Sequence, residues 1–323
     1  MKVGVYGDVH LTKNMRGMQS LWEESATSSI INMYKKFDEE KVEFAVCLGD
    51  FFDKPVIEAK SLHLVLPILN YINTREYPTY LLLGNHEIDD QEHNILEYLS
   101  EYDNIKPMIN WDIVRDDFLF IPYSVDPREL DNNIFNSKYV FTHHDIYGSE
   151  LAGGKTKAFF GLDPEIFKDA KLVMNGHVHL KSDVTSNILN AGSLLISQQG
   201  ELRVGQYPSY YILDDSTLTK FENKYSMIYL SIDVKDSGLI VEKGYDQNKL
   251  VLRVDYEGEL PESFINTAHT SWRKKITSIQ SDTAEIVRTS NFDLKNYLIE
   301  YIKKDPTVTD KETYIKIGLE VLG

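Results

Sequence analysis

Five short apolar segments of the chain each run directly into Asp, Asn or His. They are VGVYGDVH (3–10), FAVCLGD (44–50), TYLLLGNHE (79–87), KYVFTHH (138–144) and KLVMNGHVH (171–179). Near-continuous apolar runs of this length indicate strands that are buried on both faces. Because an α/β sheet binds ligands at the carboxyl ends of its strands, this feature predicts a polar site built from strand ends.

The stretches between the early strands have the spacing of amphipathic helices. Residues 21–40 and 58–73 place apolar side chains three and four positions apart. This alternation predicts an α/β domain over residues 1–205, with sheets flanked by helices. Closely spaced β segments then predict a smaller α+β domain over 206–289. Residues 290–323 have the pattern of two short amphipathic helices.

Composition indicates a globular chain. Hydrophobic residues make up 42% of the 323 residues and aromatic residues 11%, which is enough for a buried core. The single cysteine, Cys47, excludes an intrachain disulfide. The start resembles no signal peptide, and no apolar run approaches the ~18 residues that a membrane span needs. We therefore expect a cytoplasmic protein that does not span a membrane.

The charge balance bears on the choice of ligand. Against 34 Lys and Arg the chain has 50 Asp and Glu, which gives a net charge of −16. Affinity for a polyanion normally comes from Lys and Arg, so this balance opposes unaided binding to DNA.

The polar residues at the five strand ends form a coherent set of metal donors. Carboxylate, carboxamide and imidazole groups without thiolate favour Mn²⁺, Fe²⁺ or Zn²⁺ over an all-oxygen calcium cage or a zinc finger. Seven donors exceed what one ion takes from protein, and two ions ~3.5–4 Å apart clamp a phosphate for in-line displacement. The candidate ligands are Asp8, His10, Asp50, Asn85, His143, His177 and His179.

The same motifs, GDVH, GDFFD, GNHE, THH and GHVH, resemble in their order those of the calcineurin-like metallophosphoesterases. The resemblance implies a layered β-sandwich flanked by helices, and two metal ions that share one bridging aspartate. One ion would be held by Asp8, His10, Asp50 and His179. The other would be held by Asp50, Asn85, His143 and His177. His86 would not be a ligand but would protonate the leaving oxygen as general acid.

Within this superfamily the chain looks like the Mre11/SbcD nucleases, particularly those encoded by bacteriophages. GLDPEIFKDAKLVMNGHVH resembles that branch's approach to its last histidine motif, and NAGSLL resembles the Gly-Ser stretch that follows it. The β-rich segment 206–289 matches a capping domain in position. The resemblance implies a DNA nuclease of end processing, recombination and repair, an exonuclease on duplex ends and an endonuclease on single strands. Mn²⁺ is the expected ion and Mg²⁺ the alternative.

The resemblance also implies partners. Residues 290–323 would bind a Rad50/SbcC-like ATPase. The complex would be a heterotetramer that contains a homodimer of this chain. Its location would be the cytoplasm, or the host cytoplasm if a phage encodes the chain. Such a partner would supply the basic surface that the charge balance lacks. ATP would act through the partner, because this chain has no GxxxxGK[ST] motif.

Several roles stay open at this stage. Asp53 either orients a ligand or caps a helix, and His144 lies beside the ligand position or is exposed. Lys155 and Lys157 either face phosphate or lie in a plain glycine-rich turn. Two rival functions also remain: a phosphomonoesterase or cyclic-nucleotide phosphodiesterase, and a non-catalytic scaffold. The retention of His86 and all the expected ligands opposes the scaffold.

Overall fold

A computed structural model describes residues 1–15, 17–89, 93–136, 138–151, 154, 156–198, 200–234, 244–256 and 269–274. The chain divides into two compact units, Met1–Arg273 and Lys274–Gly323. The described residues lie almost wholly in the first unit, and the C-terminal helices predicted over residues 290–323 lie outside them. No helix among the described residues is long and apolar enough to cross a membrane.

The described residues form two α-helices, α1 (Gln19–Glu40) and α2 (Leu62–Asn73), several short 3₁₀ segments, and fifteen strands. In chain order the strands are β1 (Lys2–Tyr6), β2 (Phe44–Cys47), β3 (Thr79–Leu82), β4 (Ile105–Met108), β5 (Asp112–Val114), β6 (Phe118–Ile121), β7 (Tyr139–Thr142), β8 (Leu172–Asn175), β9 (Ser182–Asp183), β10 (Ile188–Asn190), β11 (Ser209–Asp214), β12 (Thr217–Glu222), β13 (Ile228–Asp233), β14 (Leu250–Tyr256) and β15 (His269–Lys274).

Two six-stranded sheets make up the main body. The first has the order β12-β11-β1-β2-β3-β4, and the second has the order β5-β6-β7-β8-β10-β9. Strands β1 to β4 run parallel to one another, as do β6, β7, β8 and β10. The predicted strands of the first 190 residues are therefore present, and their carboxyl ends lie at common edges of two parallel arrays.

The two sheets bury a shared apolar core between them. Val5 and Phe44 of the first sheet belong to the same buried cluster as Phe118 and Phe141 of the second. The rings of Phe44 and Phe118 meet edge to face, with centroids 5.1 Å apart. This packing confirms the predicted α/β sandwich flanked by helices.

Helix α1 covers the outer face of the first sheet. Its buried residues include Trp22, Ile30 and Phe37, on one side of the helix. The ring of Phe37 lies against β1 at Gly4, where an added Cβ would lie 2.7 Å from the ring. Helix α1 begins two residues before the predicted start. The second predicted helix is divided into a 3₁₀ turn, Ala59–Ser61, followed by α2.

The segment after residue 205 contributes to more than one sheet. Strand β11 pairs antiparallel with β1, so β11 and β12 extend the first sheet. Strands β13, β14 and β15 form a separate three-stranded sheet inside the range predicted for the smaller domain. The division into 1–205, 206–289 and 290–323 stays a prediction.

Candidate metal centre

The loops that follow β1 and β2 run side by side at the carboxyl edge of the first sheet. The backbone N–H of Asp8 donates to the Gly49 carbonyl at 3.1 Å, and that of His10 donates to the Asp50 carbonyl at 2.9 Å. Two motifs 40 residues apart in sequence therefore deliver their side chains to one place.

Four of the predicted ligands have a left-handed backbone. The φ angles are 50° at Asp8, 48° at His10, 50° at Asp50 and 67° at His177. Non-glycine residues rarely adopt this region, and such strain concentrates at functional sites. Here it turns the chain sharply after β1, β2 and β8, so that the polar side chains point into the site and not along the sheet.

The glycines before two of the ligands leave room for other ligands. Gly49 has a φ of 103°, and a Cβ there would lie 2.2 Å from Nδ1 of His143. A Cβ on Gly84 would lie 2.1 Å from Oδ1 of Asp50. The GD and GN motifs therefore contain glycine because the loops touch across the site.

One cluster of donors contains the first predicted ligand set. Asp8, His10, Asp50 and His179 each offer a donor atom within 4.8 Å of the others. The Nε2 atoms of His10 and His179 are only 3.0 Å apart. The Oδ2 atom of Asp8 is buried and has no hydrogen-bond partner among the residues that the structure describes.

A second cluster lies beside it and shares Asp50. Asp50, His143 and His177 also offer donor atoms within 4.8 Å of one another. Oδ1 of Asn85 lies 3.2 Å from Nε2 of His143 and 2.9 Å from Nδ1 of His177. The structure thus brings all seven predicted ligands together in two adjoining groups.

This donor set fits two divalent cations. Buried carboxylate and imidazole donors that point at each other are costly without a positive charge between them. The partnerless Asp8 oxygen and the close pair of imidazole nitrogens are donors that fit a bound cation. The clustered His and Asp residues could therefore bind a dinuclear metal centre.

Electrostatics within the protein reflect the same demand for positive charge. Burial lowers the pKa of His143, but the neighbouring Asp50 carboxylate outweighs it and raises the value to about 9. Burial also lowers the pKa of His179, and its hydrogen bond to Glu201 and the charge of Asp8 raise it to about 9. Burial raises the pKa of Asp50, yet His143 and its neighbours hold it well below the ordinary value. Cations compete with protons for these donors.

His86 lies at the rim, where it faces a cavity of about 310 Å³ that Asp50, His177 and His179 also line. Its Nδ1 lies 3.0 Å from the carbonyl oxygen of Asp53, so Nδ1 carries the proton and donates. That leaves Nε2, 4.0 Å from Oδ2 of Asp50, for the cavity. Its side chain is 38% exposed. His86 also shares a possible donor group with His10 and Asp53.

Glu201 is a residue of the site that sequence reasoning missed. Nδ1 of His179 donates to the Glu201 carboxylate, which is 3% exposed. The same carboxylate accepts from the backbone N–H of Ser197 at 2.7 Å and of Gln198 at 3.0 Å. A carboxylate on one ring nitrogen directs the other toward the metal. Nothing in the sequence marks Glu201, because it lies 22 residues after its histidine.

Two acidic neighbours of ligands also have defined contacts. The Glu87 carboxylate accepts from the backbone N–H of Phe52 at 3.0 Å and of Gly84 at 2.8 Å, and so ties two ligand loops together. Oδ1 of Asp145 lies 3.1 Å from Nε2 of His177. In the sequence, only their position next to predicted ligands marked Glu87 and Asp145 as residues of the site.

The residues left open in sequence fall into different places. Asp53 orients the site: its Oδ1 accepts from Lys13 Nζ at 2.9 Å and lies 3.4 Å from Nδ1 of His10. His144 is buried beside the clusters and belongs to neither. Lys157 is exposed on a loop, and Lys155 lies outside the described residues.

Comparison with known proteins gives a family. Residues 1–181, more than half of the chain, match the family model of the calcineurin-like phosphoesterases. The chain belongs to the calcineurin-like phosphoesterase family. No curated protein matches it in sequence.

This phosphoesterase is also similar to solved structures. An archaeal phosphodiesterase has 14% identity, coverage of 69% of this chain and 99% of that chain, and a TM-score of 0.36. The phosphoesterase Yfce from E. coli has 13% identity, coverage of 69% and 100%, and a TM-score of 0.31. The nuclease MPE from Pseudomonas putida has 14% identity, coverage of 65% and 83%, and a TM-score of 0.31.

Family membership and the geometry of the donors agree. The family consists of phosphoester hydrolases, and both donor clusters of this phosphoesterase lie within the matched residues 1–181. Glu201, which holds His179, lies after the matched region. The protein is a metal-dependent phosphoester hydrolase with a candidate dinuclear centre.

Proposed function

We propose that this phosphoesterase is a DNA nuclease, the nuclease subunit of an Mre11/SbcD-like complex. One observation carries the choice of branch. The stretch after the last histidine motif, where the chain resembles those nucleases, returns to the site: Ser193 donates to the His179 carbonyl at 3.1 Å and Leu194 to the Gly7 carbonyl at 2.9 Å. Glu201, which follows this stretch along the chain, then holds His179.

The side chains divide the work of phosphodiester hydrolysis. Two divalent ions, when bound, would polarise the phosphate and lower the pKa of a water. The ligands Asp50, His177 and His179 line the cavity, so a phosphate held there is in reach of His86. In its doubly protonated form, His86 keeps the Nδ1 proton on the Asp53 carbonyl and gives the Nε2 proton to the leaving oxygen, which returns the ring to neutral imidazole.

The test is cleavage of end-labelled linear duplex and single-stranded DNA by the purified protein with Mn²⁺, Mg²⁺ or EDTA. A small chromogenic phosphodiester and a phosphomonoester are assayed in parallel. Shortening of DNA with Mn²⁺ that EDTA stops is the expected result. Rapid hydrolysis of the monoester or of a cyclic nucleotide, with DNA left intact in the presence of the candidate ATPase, would replace the nuclease by a small-substrate enzyme.

The general-acid assignment has its own variant. His86→Gln keeps the size of the side chain and its place at the rim but has no titratable proton, so hydrolysis should fall about 10²- to 10⁴-fold. Elemental analysis should still find two ions per chain, because His86 is outside both groups of predicted ligands. The control is His93→Gln, an exposed histidine. Loss of an ion in His86→Gln would instead make it a ligand with His10 and Asp53.

The proposal includes partners. A Rad50/SbcC-like ATPase bound through residues 290–323, in a heterotetramer around a homodimer of this chain, would bring DNA to a site whose own chain is strongly acidic. The net charge of −16 is the reason for requiring such a partner.

A further inference from the structure

Tyr123 is an aromatic side chain at the second donor cluster that hydrolysis does not use. It follows β6, and its backbone N–H donates to the Leu83 carbonyl at 2.9 Å, which fixes it beside the loop that contains Asn85. Its ring stacks on those of His144 and His177, with centroids 5.9 and 6.2 Å away and interplanar angles of 25° and 30°.

Stacking on the two histidines leaves much of Tyr123 uncovered. The residue is 41% exposed, although its ring is in contact with the ligand His177. A large aromatic ring that is exposed to solvent beside a phosphate-binding site is unfavourably hydrated, and its free face can stack on a planar group of a ligand. A phosphate at the second cluster and a ring on Tyr123 would belong to one nucleotide or to two adjacent ones.

More exposed rings lie on the loop that leads away from the same cluster. Tyr147 is exposed, and Phe159 and Phe160 are 81% and 46% exposed. The loop is held near the site, because Leu162 donates to the Asp145 carbonyl at 2.8 Å and Asp145 contacts His177.

The charge of the chain makes these rings informative. With a net charge of −16, contacts to the phosphate backbone are a poor source of affinity outside the metal centre. Stacking of bases on aromatic side chains does not require basic residues, and it binds single strands with little sequence preference.

We propose that Tyr123 is a stacking platform for an unpaired nucleobase next to the scissile phosphate. The inference rests on the proposed nuclease function. A paired base inside a duplex has both faces covered by its neighbours, so it can occupy this platform only after it unstacks.

The experiment uses short single-stranded oligonucleotides with one hydrolysable phosphodiester between methylphosphonate linkages. One version carries thymine on both sides of that phosphodiester, and the other carries abasic tetrahydrofuran residues there. Values of kcat/KM with Mn²⁺ are measured for wild type, Tyr123→Trp, Tyr123→Leu and Tyr123→Ala. The matched control is Tyr98→Ala, an exposed tyrosine in the 3₁₀ segment Ile95–Glu101.

The measured quantity is the ratio of kcat/KM for the thymine substrate to that for the abasic substrate. Wild type, Tyr123→Trp and Tyr98→Ala should show a ratio of about ten or more, as expected for one lost stacking contact. In Tyr123→Leu and Tyr123→Ala the ratio should fall toward one. A ring that only positions His177 would slow both substrates by the same factor and leave the ratio unchanged.

The outcomes separate this inference from the proposed function. Cleavage of DNA by wild type with a ratio near one, or an unchanged ratio in both Tyr123→Leu and Tyr123→Ala, overturns the platform and leaves the nuclease standing. Failure of wild type to cleave any DNA in the presence of the candidate ATPase, while it hydrolyses the small diester, overturns the nuclease proposal, and the platform with it.

Discussion

At the scale of single residues, the metal centre depends on buried groups whose charges are only partly neutralised by the protein. Asp8, Asp50, His10 and His143 are almost completely buried. The removal of such groups from water is costly unless each finds an opposite charge. Asp50 is the most constrained of them, because His143, His10 and the backbone of His86 all lie within 4 Å of its carboxylate.

Asp50→Ala should abolish binding at both positions of the centre, because its carboxylate is the group that the two clusters share. We expect fewer than one tightly bound ion per chain by elemental analysis after dialysis, and loss of hydrolysis. Asp169→Ala, which removes an exposed aspartate, is the control. Two ions retained in Asp50→Ala would show that Asp50 is not a bridge.

Glu201→Ala should weaken Mn²⁺ binding about 10- to 100-fold, because His179 loses the carboxylate that fixes its ring. Titration calorimetry of the metal-depleted protein would measure this directly, without reference to catalysis. Glu222→Ala provides the comparison, since that glutamate is exposed on β12. Equal Mn²⁺ affinity in Glu201→Ala and wild type would reduce the hydrogen bond to a structural role.

At the scale of elements, the site is made by loops that cross at the carboxyl ends of parallel strands. The strands β1, β2 and β3 are adjacent, so their loops start side by side. The left-handed turns at the ligands then direct the loops across one another. Close contact between loops requires a glycine wherever a Cβ would meet a ligand, as at Gly49 and Gly84.

Gly84→Ala tests this contact without backbone strain, because Gly84 does not have a positive φ. The new methyl group would lie 2.1 Å from Oδ1 of Asp50, so the GNHE loop or Asp50 must move. We expect about 1 to 3 kcal/mol lower stability in urea unfolding, together with weaker metal binding. Gly17→Ala, at φ 77° with nothing within 4 Å, adds backbone strain alone and should leave metal binding intact.

At the scale of the whole molecule, a sandwich of two sheets positions the candidate metal centre within an acidic chain. The second sheet contributes His143 after β7 and His177 and His179 after β8, while the first contributes the remaining ligands. Each half of the centre therefore depends on the packing of the two sheets on each other. Net charge acts on a larger scale and opposes approach of DNA from solution.

Deletion of residues 290–323 should leave Mn²⁺-dependent hydrolysis of a small diester within about twofold of wild type, because every residue of the two clusters precedes residue 202. Capture of a candidate Rad50/SbcC-like ATPase in a pull-down should be lost. The control replaces the tail with a flexible linker of equal length. Undiminished capture by the deleted chain would exclude these residues as the docking segment.

Much of the fold follows from local patterns in the sequence. The apolar strands and the 3.6-residue periodicity of α1 depend on neighbouring residues, so a single chain is enough to predict them. Strands β4, β5 and β9 were not predicted, because they are short and partly polar. The sequence of β4 is IKPM and that of β9 is SD. The pairing of β11 with β1 was also missed, because it joins residues more than 200 positions apart.

The sequence by itself determined which chemistry this chain can perform. Five strand ends with Asp, Asn or His in a fixed order were sufficient to predict the six residues of the two donor clusters and Asn85, which lies within hydrogen-bond distance of His143 and His177. Ligand motifs are local, because each depends on one strand and the turn that ends it.

Only the tertiary structure decided which groups support those ligands. Three such contacts join residues that no local pattern links. They are the hydrogen bond of His179 to Glu201, that of His86 to the Asp53 carbonyl, and the stacking of Tyr123 on His177. Such contacts form where two loops or two sheets meet, and their partners are fixed by packing across the whole chain and not by spacing along it. That is why the donors of this centre were predictable and their supports were not.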